Sequence, residues 1–151
     1  MAPIVSSVDV ARPPEEVFPY VTDPSRFAEW QESVVSGHME GNGPPGVGTQ
    51  YTTIRRIRGA DQEITSEITE ISPPRSWAMR GIDGPVRANV TIAVDPLNGD
   101  TQSRVTITAG FIGHGMGKLL IPFIVQQERK EALKNCRSLK ERLESQPPTK
   151  T

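Results

Sequence analysis

The sequence predicts an α+β fold: an antiparallel sheet of about seven strands, two short helices near the N-terminus and one long C-terminal helix. Several segments alternate apolar with polar residues and are joined by short connections rich in glycine and proline, which is typical of an antiparallel meander. Between residues 116 and 145 the apolar residues instead recur at steps of three, four and seven, which indicates one face of a helix. Proline and acidic residues mark two further helix starts before residue 30.

The first strand is predicted over residues 3–10, where the alternation begins. Pro13 and Pro14 then open a short helix, because proline lacks the N–H that would have no partner in a first helical turn, and two glutamates follow in that turn. Asp23 is expected to cap a second short helix with Pro24 at its first position. The order strand, helix, helix therefore precedes the main run of strands.

The remaining strands are bounded by turn residues. They are predicted at residues 33–40, 47–57, 62–71, 77–82, 86–94 and 104–112. The long helix that follows is expected to present an apolar stripe of Ile121, Val125, Ala132, Cys136, Leu139 and Leu143. Pro147 and Pro148 should end it, so residues 1–146 are expected to form a single domain and residues 147–151 a disordered tail.

Composition excludes several classes of protein. Seventeen basic and 18 acidic residues leave a formal charge of −1, which offers no electrostatic basis for binding nucleic acid. The single cysteine, Cys136, excludes an internal disulfide framework and suits the reducing cytoplasm. No secretory signal is visible, and the longest apolar run, residues 119–125, is too short for a transmembrane segment. We expect a soluble cytoplasmic protein.

A motif near the N-terminus carries a family resemblance. Residues 11–18 read Ala-Arg-Pro-Pro-Glu-Glu-Val-Phe, and an Asp-Pro pair at 23–24 and Trp30 follow. This pattern resembles the polyketide cyclase/dehydrase-type branch of the START-like (SRPBCC) superfamily, and the resemblance covers roughly residues 3–145. It implies the helix-grip (Bet v 1-like) fold, in which a curved antiparallel sheet wraps around the C-terminal helix. It also implies that residues 1–146 form a START-like ligand-binding domain.

A strongly bent sheet cannot pack its whole concave face on one helix, so an internal space is expected. Small residues are predicted at inward strand positions, namely Thr53, Ser66, Ala88 and Ala109. Trp77 and Met79 share one face of their strand and match a bulky apolar pair that the resembling family places in its cavity. The full set of predicted ligand-binding residues is Trp30, Tyr51, Trp77, Met79, Phe111, His114, Phe123, Ile124 and Gln127.

No catalytic constellation, metal site or cofactor site is predicted. His114 lies in a glycine-rich connection without an identifiable partner, and the two histidines and one cysteine show no zinc-ligand spacing. The Gly-x-Gly-x-x-Gly match at residues 41–46 contains two prolines and precedes a strand, so it is not a dinucleotide site. The charged strand residues are interpreted as a solvated outer face: Arg55, Arg56, Arg58, Glu63, Glu67, Glu70 and Arg87.

Three functions remain open at this point. The first is binding of a small hydrophobic molecule, such as a lipid, a polyketide or an isoprenoid, in the internal cavity. The second is a cyclase or dehydratase acting on a polyketide-like chain, with His114 or the outward-pointing Arg80 as the proton-moving groups. The third is a protein-interaction module with a filled core. The protein is expected to be a monomer or a homodimer, with no nucleic-acid partner.

Overall fold

The computed structural model describes residues 3–146. Its strands are Ile4–Val10 (β1), Val34–Met39 (β2), Gln50–Ile57 (β3), Ala60–Ser72 (β4), Ser76–Gly81 (β5), Val86–Leu97 (β6) and Gln102–Gly113 (β7). Its α-helices are Pro14–Val21 (α1), Phe27–Trp30 (α2) and Ile121–Ser145 (α3), with short 3₁₀ helices at Pro24–Arg26 and Gly115–Leu119. The predicted disordered tail at 147–151 lies outside the described residues.

All seven strands form one antiparallel sheet, as predicted. The spatial order is β1-β7-β6-β5-β4-β3-β2, so β2 to β7 form a continuous meander and β1 adds to the edge at β7. The register places Tyr51 directly opposite Ser66 and Trp77 opposite Ile92. Side chains on these paired positions share one face of the sheet, and that face packs toward the helices.

The N-terminal helices begin as the sequence indicates. Pro14 occupies the first turn of α1. The Asp23 carboxylate accepts a hydrogen bond from the Ser25 backbone N–H at 3.0 Å, which caps the 3₁₀ turn that leads into α2. This cap fixes the direction of α2, whose residues Phe27 and Trp30 are buried against the sheet.

The long helix starts later than predicted. The sequence pattern indicated a helix from Met116, whereas residues 115–119 form a 3₁₀ turn and α3 begins at Ile121. Gly115 has φ +57°, which is not compatible with a right-handed α-helix, and Gly117 packs against the Pro85 backbone. These two features keep residues 115–119 out of the α-helix. Pro122 then lies in the first turn of α3, where its missing N–H is tolerated.

The apolar stripe of α3 closes the core. Most of the predicted stripe is buried: Val125, Ala132, Cys136, Leu139 and Leu143. Asn135 is also buried on this face, and its side-chain oxygen accepts a hydrogen bond from the Glu32 backbone N–H at 3.0 Å. The sheet thus wraps around α3, and the helix-grip fold expected from the resemblance is confirmed.

Candidate functional site

A cavity of about 120 Å³ lies between the concave face of the sheet, α2 and α3. Strands β3 to β7 supply most of its wall, and α3 covers the open side. A space of this size far exceeds one water molecule and is on the scale of a single aromatic ring. The small residues predicted to face inward, Thr53, Ser66, Ala88 and Ala109, all line it, which explains why side chains do not fill the space.

Four aromatic side chains form one part of the cavity wall. The Phe27 ring meets Trp30, Tyr51 and Trp77 edge to face, with ring centroids 6.0, 6.1 and 6.3 Å apart. Tyr51 and Trp77 lie 6.0 Å apart with their rings tilted by 36°. Such contacts add to the stability gained from burying the rings. This aromatic cluster (Phe27, Trp30, Tyr51 and Trp77) therefore forms a tightly packed apolar part of the cavity wall.

Most of the predicted ligand-binding residues line the cavity. They are Trp30, Tyr51, Trp77, Met79, Phe111, Ile124 and Gln127. The alternation along β5 places Trp77 and Met79 on the inner face, while Arg80 points outward and pairs with Glu67 at 3.2 Å. Gln127 also donates a hydrogen bond to the Arg56 carbonyl oxygen at 3.3 Å, which ties α3 to the end of β3.

His114 and Phe123 do not line the cavity, contrary to the prediction. His114 is exposed in the connection between β7 and α3, where its backbone N–H donates to the Pro85 carbonyl. Phe123 is 49% exposed, and the Arg58 guanidinium lies 4.5 Å from its ring centroid. Since successive helical residues are turned by about 100°, Ile124 and Gln127 face the cavity while Phe123 faces the β3–β4 turn.

The interpretation of Arg55 as part of the outer face is wrong. Arg55 lines the cavity, where its guanidinium donates to the Gln31 side-chain oxygen at 3.0 Å and to the Ser33 hydroxyl at 3.5 Å. The signal was present in the sequence, because residues two and four apart on a strand share a face. The inward Tyr51 and Thr53 therefore place Arg55 inward as well.

Glu128 is a second charged residue that sequence reasoning missed. It lies on α3 one turn after Ile124 and lines the same cavity as Arg55. Burial raises the pKa of its carboxyl, and the Arg55 charge opposes that rise. Among the described residues no ion pair within 4.0 Å joins them, so the two groups share the cavity without direct contact.

Two donors of cavity-lining residues, the indole nitrogens of Trp30 and Trp77, lack a protein partner in the described part of the chain. The hydroxyls of Tyr51 and Ser66 interact with each other and with no further group among the described residues. Burial also raises the pKa of Tyr51, so its hydroxyl keeps its proton. Buried polar groups normally have partners, and each one left without costs about 1–3 kcal/mol. The cavity is thus apolar in outline but rich in hydrogen-bond donors.

Comparison with protein families places these features in context. The family model described as "Polyketide cyclase / dehydrase and lipid transport" matches residues 1–143. Uncharacterized protein Rv1546 of Mycobacterium tuberculosis is 27% identical over 111 residues, which are 73% of this chain and 78% of that protein.

No helix within residues 3–146 has the length and apolar character needed to cross a membrane.

Solved structures share the fold at low sequence identity. The Zhui aromatase/cyclase from a Streptomyces species has a TM-score of 0.77 and 14% identity, covering 94% of this chain and 93% of that one. A START superfamily protein from Mycobacterium smegmatis has a TM-score of 0.73 and 12% identity, covering 95% and 98% of the two chains. These likenesses concern the fold.

Proposed function

We propose that this chain, which belongs to the polyketide cyclase/dehydrase and lipid transport family, binds a small hydrophobic molecule in the cavity between its sheet and α3. The cavity itself is the observation that carries this proposal, because about 120 Å³ of space remains beside a firm aromatic wall. Ligand sites are typically apolar and contain a few polar groups that orient the guest. The aromatic cluster supplies the first feature, and Arg55, Glu128 and Gln127 supply the second. A cavity-poor interaction module fits this arrangement less well.

A second candidate function is a cyclase or dehydratase reaction in the same cavity. The shared position of Arg55 and Glu128 favours it, because a guanidinium stabilises an enolate oxygen and a carboxyl with a raised pKa can move a proton. An intramolecular aldol reaction forms a carbon–carbon bond between an enolate carbon and a ketone carbon. Dehydration then releases one water. Incubation with a linear poly-β-ketothioester would reveal this reaction as a cyclic product lighter by one water, and Glu128→Gln should abolish it.

Blocking the cavity tests the binding function. Ala88→Leu adds a branched side chain inside the cavity, so we expect at least a tenfold loss of bound ligand. Native mass spectrometry of protein purified without organic solvent measures any copurifying molecule, and ligand-observed NMR measures added indole. Ala93→Leu is the matched control, since Ala93 lies on the same strand but on its outer face. The proposal fails if the wild type binds nothing by either method, or if Ala88→Leu binds as well as the wild type.

We also assign the protein to the cytoplasm, as a monomer or a homodimer. The thiol of Cys136 is free and buried, and burial raises its pKa, so it is poorly reactive. A structural thiol of this kind is compatible with a reducing compartment.

A further inference from the structure

We infer that the cavity selects a compact organic acid, with an apolar body of about one ring and a carboxylate that meets Arg55. This inference rests on the proposed binding function and adds the chemical class of the ligand. It depends on two observations: the Arg55 guanidinium donates hydrogen bonds to neutral oxygens, and it has no carboxylate in ion-pair contact among the described residues.

Arg80 and Arg104 on the outer face of the sheet are paired with carboxylates, whereas Arg87 on that face donates to the Gly84 carbonyl oxygen at 3.3 Å. Arg80 contacts Glu67 at 3.2 Å, and Arg104 contacts Asp9 at 2.8 Å with a second bond at 3.1 Å. Arg55 on the inner face contacts only the neutral oxygens of Gln31 and Ser33 among the hydrogen bonds of the described residues. Its positive charge therefore stays without a direct ion pair inside the cavity.

The guanidinium keeps donors that can meet a ligand. It carries five N–H groups in a planar fork that matches the two oxygens of a carboxylate. Gln31 and Ser33 take up only part of this set and hold the guanidinium in place on the wall. Because the surroundings are largely apolar, a charged hydrogen bond made there is stronger than one made in water.

The nearby carboxyl groups do not neutralise Arg55 by contact. Glu128 lies in the same cavity, and burial raises the pKa of its carboxyl, but among the described residues no ion pair within 4.0 Å joins it to Arg55. Glu131, one turn further along α3, is held by the Gln127 amide at 3.4 Å, and Glu32 lies 4.0 Å from Lys134. A ligand carboxylate can therefore take the position next to Arg55.

The remaining polar groups agree with an acceptor-rich ligand. The indole N–H groups of Trp30 and Trp77 are donors only and have no acceptor within the described protein. A ligand that contributes oxygen atoms suits such a wall better than one that contributes N–H groups. The volume of about 120 Å³ limits the buried part of a ligand to roughly one ring, so most of a long acyl chain would have to lie outside the cavity.

Three probes of nearly equal shape test the inference: benzoate, benzamide and toluene. Binding of each to the full chain at pH 7 is measured by ligand-observed NMR titration. We expect benzoate to bind at least tenfold more tightly than benzamide. Arg55→Met should remove this preference while toluene still binds, and Arg55→Lys should retain part of it. Arg104→Met is the control, because it removes a paired arginine of the outer face and should leave the preference unchanged.

The possible outcomes distinguish failure of the carboxylate preference from failure of the proposed hydrophobic binding. Equal binding of benzoate and benzamide by the wild type would overturn the acid preference and leave hydrophobic binding standing. A carboxylate preference that persists in Arg55→Met would also overturn it. If none of the three probes binds, including toluene, both the inference and the proposed function are wrong. A preference that is lost with Arg55→Met and kept with Arg104→Met supports the inference.

Discussion

Replacement of Trp77 by alanine should lower the free energy of unfolding by about 3–5 kcal/mol, the range for removing a buried aromatic side chain. Trp77 is 1% exposed, and its ring packs against Phe27 and Tyr51 in the aromatic cluster. Its removal would enlarge an existing cavity, so the neighbouring rings would lose contacts without any new partner. Urea denaturation, followed by far-UV circular dichroism, measures the change.

Phe123→Ala is the matched control for this prediction. Phe123 is also a large aromatic residue, but it is 49% exposed and contacts Arg58 at the surface. Its loss should cost no more than about 1 kcal/mol, which is the scale of an exposed cation–π contact. A loss below about 1 kcal/mol for Trp77→Ala would contradict the placement of Trp77 in the core.

Gly117→Ala should have the second large effect, a loss of about 1–3 kcal/mol. A Cβ atom at Gly117 would overlap the carbonyl oxygen of Pro85, which is backbone and cannot rotate away. The 3₁₀ turn would have to separate from the β5–β6 connection, and the start of α3 would shift with it. Because Ile124 and Gln127 lie in the first turns of α3, affinity for indole should fall as well.

Gly110→Ala provides the control in the same region. A Cβ atom at Gly110 meets no heavy atom within 4 Å, and the residue lies in β7 with ordinary strand geometry. Alanine there should leave stability unchanged or raise it slightly, since glycine in a strand interior is entropically costly. Equal stability of Gly117→Ala and the wild type in urea denaturation would show that the turn is not held against Pro85.

Arg55 and Glu128, two charged residues of the cavity, could both have been predicted from local sequence patterns. Strand alternation from Tyr51 already places Arg55 on the inner face, and helical spacing from Ile124 places Glu128 beside the cavity. The general tendency of charged side chains to be solvated favours an exposed position for both residues, whereas the position-specific pattern on the strand and on the helix places them inward. His114 shows the opposite error, since a suitable residue type in a glycine-rich connection does not imply a position at the cavity.

The proposed ligand follows from the combination of volume and charge. An apolar cavity lining alone does not identify a ligand, because one fold supports many functions. The directly unpaired Arg55 and the volume of about 120 Å³ narrow the choice to a small molecule with an acceptor or acidic group. The cyclase alternative uses the same two side chains, so the Arg55 and Glu128 variants bear on both functions.

The sequence by itself determined the strand and helix order, the helix starts at Pro14 and Asp23, the α3 stripe and the inward direction of Trp77 and Met79. These features depend on residues a few positions apart, because caps, alternation and helical spacing are local. Only the tertiary structure decided the volume of the cavity, the late start of α3, the exposed position of Phe123 and the presence of Arg55 and Glu128 in one cavity. These depend on sheet curvature and on contacts between distant segments, such as Gly117 against Pro85, which no local pattern encodes.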